Sequence, residues 1–193
     1  MMPKHIKILE AAEEILAERG FYGLSMKVLA DTAGIAAGTI YRYFDSKEEL
    51  MLELHKFINL EASKTIFNGW SNSLDEKQKY DLLWENAFNA VLTNPQRLTV
   101  IEMLFCIPHI NRTTTTLFED EAFYRLIEFY QKGIDDKRFH NWPLPALVAL
   151  SFDSSISLAK KVLRERLQID QKILVQVRDA SWNIIQKQHN NVI

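Results

Sequence analysis

Apolar residues recur every three to four positions in the first segment of this chain, residues 4–19. They share one helical face, and the opposite face carries several glutamates. The apolar residues of this face are Ile8, Ala11, Ala12, Ile15 and Leu16. Gly20 follows, and glycine readily takes the left-handed backbone conformation that ends helices. The pattern therefore predicts an amphipathic first helix that ends near Gly20 and buries its apolar face.

The next segment predicts a short second helix over residues 26–33. Ser25 precedes it in the N-cap position, where a serine hydroxyl accepts a hydrogen bond from a backbone N–H of the first turn. Gly34 is expected to end this helix in the left-handed conformation, and Ile35 adds an apolar residue at the turn. Two short helices that meet in this way indicate a helix-turn-helix, although any tight corner between helices can give the same pattern.

The third predicted helix, residues 36–44, has little apolar surface to bury. Only Ile40 and Phe44 form an inward stripe, because they lie four residues apart on one helical face. The side chains left outward are those of Thr39, Tyr41, Arg42 and Tyr43. Such a helix would be about 13 Å long, which suits a DNA major groove about 12 Å wide. Gly38 would keep its leading surface thin, so that the backbone could approach a duplex closely.

Helical patterns continue through the rest of the chain. Ser46 followed by Glu49 forms a capping box, which predicts a fourth helix that continues to Gly69. Further helices are predicted over residues 74–93, 95–106, 116–133, 143–167 and 170–188. Strand-like alternation never persists beyond four or five residues. The sequence therefore predicts an all-α protein with about nine helices.

The composition excludes several other classes of protein. Of the 193 residues, 47% are hydrophobic and 25% are charged, which is typical of a globular chain and not of a disordered one. The net charge of −2 argues against a general nucleic-acid coat, so any DNA contact must come from cations on one face. The apolar runs are far shorter than the ~18 residues that span a bilayer. Because the single cysteine, Cys106, also fits a reducing compartment, we predict a cytoplasmic protein without a membrane partner.

Two patterns that occur in enzymes lack the surroundings that their chemistry needs. Tyr43-x-x-x-Lys47 has the Tyr/Lys spacing of short-chain dehydrogenases, but no glycine-rich βαβ dinucleotide unit accompanies it. Gly34-x-x-x-Gly38 is not a phosphate loop, because no strand precedes it and no Gly-Lys-Ser/Thr follows it. The five histidines are scattered without metal-ligand spacing. We therefore predict no enzymatic activity, no metal and no cofactor.

The spacing of residues 25–50 resembles the DNA-binding signature of the TetR-like transcriptional repressors. The resemblance is carried by Ser25, Leu29, Ala30, Ala33, Gly34, Ile35, Ala36, Gly38, Thr39, Ile40, Tyr41, Tyr43, Phe44, Ser46, Lys47 and Leu50. The preceding apolar pattern, with Gly20 and Phe21, resembles the first helix of that family. The resemblance implies a three-helix DNA-binding head over residues 1–48 and a larger helical body over residues 49–193 that dimerises and holds an inducer.

The same resemblance implies which residues contact a double-stranded DNA operator. They are Ser25, Lys27, Ala36, Ala37, Gly38, Thr39, Tyr41, Arg42, Tyr43 and Lys47, the last as a phosphate contact. The sequence departs from the family at Ala36, where Ser or Thr is common and would cap the recognition helix. One phosphate contact and roughly 1 kcal/mol of capping are then missing. Base readout is expected to depend on Thr39, Arg42, Tyr43 and apolar contact with thymine methyl groups.

Two of these residues also have plain structural interpretations. The ring of Tyr41 can hold the third helix against the first while its hydroxyl reaches a phosphate, and we expect both. Arg42 can instead be a solvated surface charge. The sequence leaves this second alternative open.

The predicted body is rich in aromatic residues between residues 50 and 142. Most aromatic residues at helical spacing simply form the core, but a pocket walled by them with few polar groups would suit an apolar or aromatic small molecule. The candidate lining residues are Trp84, Phe88, Met103, Cys106, His109, Phe123, Tyr124 and Ile127. Cys106 has no second cysteine with which to form a disulfide, and a free cysteine in an apolar stretch is usually inert packing; the sequence leaves open whether it senses anything.

The last two predicted helices, within residues 146–163 and 170–188, are apolar on more than one face. Such a helix needs a partner beyond its own core, and a two-fold four-helix interface would supply one. We therefore predict a homodimeric repressor that a small, largely apolar or aromatic inducer releases from a pseudo-palindromic operator. The alternative is a helical small-molecule-binding protein, or an adaptor, that binds no operator.

Overall fold

The computed structural model describes residues 3–107 and 121–187, which fold into α-helices joined by turns. The helices are α1 (Lys4–Gly23), α2 (Met26–Ala33), α3 (Ala37–Ile40), α4 (Lys47–Ile66), α5 (Glu76–Thr93), α6 (Pro95–Phe105), α7 (Tyr124–Asp135), α8 (Leu144–Leu150), α9 (Phe152–Arg164) and α10 (Gln171–Ile185). A 3₁₀ turn, Glu121–Phe123, precedes α7. The described residues contain no β-strand, which confirms the predicted all-α fold.

These helices form two compact units of the chain. The first contains the described residues 3–61 and 94–107, and the second contains residues 62–93 and 121–187. The first unit therefore holds α1, α2, α3, most of α4 and all of α6. It is larger than the head that we predict over residues 1–48, because α6 packs on α1.

The core of the first unit is formed by apolar side chains of α1, α2, α4 and α6 and of the α3 region. Its fully buried members are Ile8, Ala12, Leu29, Ile40, Leu50, Leu54, Ile58, Val100 and Leu104. The apolar face predicted for α1 is buried along its whole length, which confirms the amphipathic pattern. Arg97 of α6 adds a bidentate ion pair with Glu13 of α1, with N–O distances of 2.7 and 3.0 Å. Such a charge-assisted pair fixes geometry as well as adding energy.

The predicted capping residues begin and end the helices of the first unit. The Ser25 hydroxyl accepts a hydrogen bond from the Val28 N–H at 3.2 Å, at the start of α2. Gly34 ends α2 with a φ of 64°, and its N–H donates to carbonyl groups of the last turn. The Ser46 hydroxyl accepts a hydrogen bond from the Glu49 N–H at 3.0 Å, at the start of α4. The structure confirms these three predictions.

Two helices of the first unit differ from their predicted bounds. α1 continues past Gly20 across a kink, because this glycine has a left-handed φ of 67° and bends the helix where the sequence predicts its end. α3 covers only Ala37–Ile40, so the prediction of a helix over residues 36–44 was wrong. After Ile40 the N–H groups of Arg42 and Tyr43 bond to carbonyls three residues back, which tightens the chain into a turn.

In the second unit, α5, α7, α8, α9 and α10 enclose a core rich in aromatic side chains. Its buried aromatic members are Tyr80, Trp84, Phe88, Phe123, Phe129, Tyr130, Phe139, Phe152 and Trp182. Gly133 of α7 lies under the ring of Phe139, and a Cβ at this position would overlap that ring. The glycine is therefore required by packing.

A buried hydroxyl network coincides with a break in a predicted helix. The Tyr130 hydroxyl lies 2.7 Å from Ser151 Oγ, which itself donates to the Leu147 carbonyl at 2.6 Å. Burial raises the pKa of Tyr130, so the phenol stays protonated and can donate to the serine. The single helix predicted over residues 143–167 was wrong, because the chain breaks at Ser151 into α8 and α9.

Candidate nucleic-acid interface

The recognition surface is formed by α2, α3 and the turns on either side of α3. We define it as Ser25, Lys27, Ala36, Ala37, Gly38, Thr39, Tyr41, Arg42 and Tyr43. All of these residues are exposed except Thr39, which is half-buried. α3 packs on α2, so residues that lie far apart in the sequence reach one surface of the first unit.

The recognition segment is attached to the first unit by a narrow apolar stripe. Ile40 and Phe44 are buried, with relative exposures of 0% and 4%. Tyr41 and Tyr43 keep 53% and 44% of their surface exposed. Packing alone gives no reason for two aromatic rings that remain in water, since large aromatic side chains stabilise a protein mainly by burial. The segment therefore presents its large side chains outward.

Two small residues shape the leading edge of this surface. Ala36 occupies the N-cap position of α3 and makes no side-chain hydrogen bond to the first turn, as expected for a methyl group. Gly38 has no atom within 4 Å of the position that a Cβ would occupy. An alanine would fit there and would favour the helix by about 0.5–1 kcal/mol. Internal packing therefore does not explain this glycine, whereas close approach of an external partner would.

Lys47 has an environment that the sequence does not reveal. Its Nζ donates to the carbonyl oxygens of Leu24 at 2.9 Å and Phe21 at 3.3 Å. The same ammonium lies 4.0 Å from the centroid of the Phe21 ring, a cation–π contact. Lys47 thus connects the start of α4 to the end of α1 and to Leu24 in the turn before α2. An ammonium group has three donors, so hydrogen bonds within the first unit use two of them.

The first turn of α1 lies beside the recognition surface. The ring centroids of His5 and Tyr43 are 6.3 Å apart. Lys4 and Lys7 stand on either side of His5 in the sequence, and all three side chains are exposed. The sequence-based prediction of the interface does not include these residues. The run Lys-His-Ile-Lys is the pattern that could have indicated them.

The candidate ligand-lining residues of the second unit have different environments. Trp84 and Phe88 are buried and stacked, with ring centroids 5.7 Å apart and planes 7° apart. Trp84 Nε1 also donates to Ser154 Oγ at 2.9 Å. Phe123 is buried and Ile127 is half-buried, whereas Tyr124 is 63% exposed. The structure therefore places Trp84, Phe88 and Phe123 in the core and Tyr124 on the surface.

Two other candidates line an open groove of the first unit. Met103 and Cys106 of α6 share this groove of about 510 Å³ with Phe21 and Tyr22 of α1 and with Thr99, Glu102 and Ile107. Cys106 is exposed, so the prediction that it is a packing residue was wrong. His109 lies outside the described residues.

Two further kinds of site are absent from the described part of the chain. Within residues 3–107 and 121–187, no group of three His, Cys, Asp or Glu side chains is placed to hold a metal ion. In the same residues, no helix combines the length and the apolar character that a membrane span requires.

Two family models match the chain, one in each part. Residues 8–54 match bacterial regulatory proteins of the TetR family. Residues 76–186 match the tetracyclin repressor-like C-terminal domain. The first match contains α2, α3 and the recognition surface, and the second contains most of the second unit.

Individual proteins and structures give the same picture. A TetR-family transcriptional regulator from Vibrio parahaemolyticus has a solved structure with a TM-score of 0.80 and 31% identity, over 96% of this chain and 99% of that one. An uncharacterized HTH-type transcriptional regulator from Haemophilus influenzae is 24% identical over 94% of this chain and 95% of its own length. The fatty acid metabolism regulator protein of Bacillus subtilis is 43% identical, but over only 28% of each chain. The likeness therefore extends over nearly the whole chain.

Proposed function

Because the chain belongs to the TetR family of bacterial transcriptional regulators, we propose that it is a homodimeric repressor that a small, largely apolar or aromatic inducer releases from a pseudo-palindromic operator. The observation that supports DNA binding best is the recognition surface. Its two tyrosines and its arginine are exposed, while only Ile40 and Phe44 attach the segment to the core. Arg42 and Tyr43 are the proposed base contacts, and Lys27 and Lys47 are the proposed phosphate contacts.

The proposed dimer is supported by the outward side of α10. This helix is attached to the second unit by Trp182 and Ile185, which are buried, and by an ion pair of 2.9 Å between Arg178 and Asp81. We define the α10 outer face as Ile173, Val177, Ala180 and Ile184. Val177 is half-buried, and the other three residues are exposed. Exposed apolar stripes of this kind mark protein interfaces. A two-fold axis would pair this face with the same face of a second copy.

The proposed release follows from differential affinity. Two recognition surfaces about one DNA turn apart, ~34 Å, read successive major grooves on one side of the duplex. An inducer that binds more tightly to dimers whose recognition surfaces have another spacing shifts the population of dimers away from the DNA-bound state. Coupling of this kind is typically worth about 1–3 kcal/mol, or about 5–150-fold in affinity. Trp84, Phe88, Phe123 and Ile127 are the proposed contacts of this inducer in the second unit, and the core that contains the first three must open to admit it.

The direct test is a search for the operator. We would select bound duplexes from a random DNA library with the full-length protein and measure their affinity by fluorescence anisotropy at several salt concentrations. We expect a pseudo-palindromic site and a steep fall of log K with log salt. Arg42→Ala should weaken binding to this site by about tenfold or more and relax base preference, since a bidentate base contact is worth about 1–3 kcal/mol.

The control separates Arg42 from a general charge effect. Arg164 is an exposed arginine of α9, so Arg164→Ala removes the same charge outside the recognition surface. It should leave the selected sequence and its affinity nearly unchanged. Failure of the wild-type protein to select any duplex, with no salt-sensitive binding, would contradict the proposed function and favour a helical binding protein or adaptor.

A further inference from the structure

α1 has an uneven charge distribution along its length. Its first turn contains Lys4, His5 and Lys7 and no acidic residue, and these three side chains are exposed. Its later turns carry acidic side chains at Glu10, Glu13, Glu14 and Glu18. In the described part of the chain, neither Lys4 nor Lys7 has an ion-pair partner. Among the described residues, the two lysines are therefore not used in a salt bridge.

This arrangement is the reverse of the one that stabilises a helix. The macrodipole favours acidic groups at the first turn and basic groups at the last turn. α1 has no acidic group in its first turn and no basic group in its last turn. The two lysines at its start therefore lower the stability of the helix slightly. An anionic partner outside the chain would explain why cations stand here.

The position of these lysines indicates the kind of anionic partner that would fit. Lys4 and Lys7 are three residues apart, so their side chains are neighbours on one side of α1. His5 places the same turn against Tyr43, with 6.3 Å between the ring centroids. Tyr43 belongs to the recognition surface, which is proposed to enter the major groove. A basic group beside that surface meets the phosphates at the edge of the groove.

We propose that Lys4 and Lys7 form a basic shoulder on α1 that binds DNA phosphates at the edge of the groove read by the recognition surface. This inference rests on the proposed function and adds a second helix to the DNA contact. The shoulder supplies affinity without base preference, because phosphates carry no sequence information. It also adds positive charge to a surface that has little, since Lys27 is the only basic residue of α2 and α3 and Arg42 is the only one in the turn after α3.

The test compares Lys4→Gln/Lys7→Gln with the wild-type protein on the selected duplex. We expect affinity near physiological salt to fall roughly tenfold or more and the slope of log K against log salt to fall by about two to four units per dimer, at about 0.9 per phosphate contact. The selected sequence should not change. Ethylation interference should lose its signal at one or more phosphates of each half-site.

Two matched variants and one stability measurement complete the design. Lys132→Gln/Lys161→Gln removes the same charge from two exposed lysines of the second unit and should leave the slope unchanged. Lys4→Arg/Lys7→Arg should restore the slope and the interference pattern. Thermal unfolding of the Lys4→Gln/Lys7→Gln variant should occur at the same temperature or higher, because the change removes cations from a helix start.

The outcomes separate this inference from the proposed function. One outcome is that the wild-type protein binds the duplex and Lys4→Gln/Lys7→Gln keeps the same salt slope and the same ethylation interference. This outcome would overturn the proposed shoulder and leave the operator function intact. An equal fall of the salt slope in Lys132→Gln/Lys161→Gln would also overturn the shoulder, because net charge alone would then explain the effect. Absence of any salt-sensitive duplex for the wild-type protein would overturn the proposed function and the shoulder together.

Discussion

The recognition surface and the α10 outer face are both left exposed by the chain, but they differ in chemistry. The recognition surface combines two tyrosines, an arginine and small residues on a segment that only Ile40 and Phe44 attach to its core. The α10 outer face is aliphatic and lies on a long helix whose opposite side is well packed through Trp182 and Ile185. Neither surface is explained by the stability of its own unit.

The difference in chemistry indicates the difference in partner. Hydrogen-bonding and cationic groups on a thin backbone suit a hydrated, charged duplex, where contacts exchange with water and counterions. Exposed aliphatic side chains gain free energy only when another apolar surface removes them from water. The first surface is therefore expected to bind DNA and the second to bind a copy of the same chain.

The largest expected effect comes from charges on the α10 outer face. Ile173→Glu/Ile184→Glu should give a monomer, because four carboxylates would be buried in the two-fold interface. Loss of the second half-site should then lower operator affinity by about 10²–10⁴-fold, the usual gain from two linked contacts. Light scattering and anisotropy measure the two effects, while unfolding of the monomer should remain cooperative.

The matched control uses polar positions of the same helix. Gln176→Glu/Asn183→Glu adds the same charge at exposed sites beside the aliphatic stripe. This variant should remain a dimer and keep most of its affinity. Full operator affinity in a monomeric Ile173→Glu/Ile184→Glu variant would show that DNA binding does not need this face.

An intermediate effect is expected from a glycine of the recognition surface. Gly38→Ala should raise the free energy of unfolding by up to about 1 kcal/mol, because the added methyl meets open space and favours the helix. The same methyl should crowd a close DNA contact, which typically costs about 1–3 kcal/mol, or about 5–150-fold in affinity. Denaturant melts and anisotropy on one preparation give both numbers.

Gly133 of α7 provides the contrasting glycine. Its missing Cβ makes room for the Phe139 ring, so Gly133→Ala should lower the free energy of unfolding by about 1–3 kcal/mol. It should not change the operator affinity of the protein that remains folded.

Tight operator binding by Gly38→Ala would mean that the duplex does not approach the backbone at Gly38.

The sequence predicted the local features of the fold well. The caps at Ser25 and Ser46 and the left-handed Gly34 depend on neighbours within four residues, so their pattern is visible in the sequence. The inward stripe of Ile40 and Phe44 follows from helical spacing in the same way. These local signals were sufficient to locate the exposed segment around α3, whereas the DNA contacts assigned to it rest on the family resemblance and stay a prediction.

Features that depend on distant residues were not predicted. The break at Ser151 goes with a hydrogen bond from Tyr130, which lies 21 residues away. The continuous apolar pattern on both sides of that serine gives no sign of the break. The contact between His5 and Tyr43 joins residues from α1 and from the turn after α3, so the position of α1 beside the recognition surface could not be predicted from spacing alone.

The smallest expected effect concerns Lys47, where the sequence and the structure suggest different roles. Lys47→Met keeps the length of the side chain but removes the donors to Phe21 and Leu24. The free energy of unfolding should fall by about 1–2 kcal/mol, because the Leu24 carbonyl loses a charged partner. If the third donor also binds a phosphate, the salt slope should fall by about one unit per head.

Lys27→Met is the matched control for Lys47. Lys27 is exposed on α2 and has no ion pair among the described residues, so its loss should lower the salt slope without changing the free energy of unfolding. A Lys47→Met variant with normal stability and a reduced slope would mean that Lys47 acts mainly on phosphate. Reduced stability with an unchanged slope would mean that it only holds the turn before α2. A fall in both the free energy of unfolding and the salt slope would show that one ammonium group stabilises the first unit and also binds DNA.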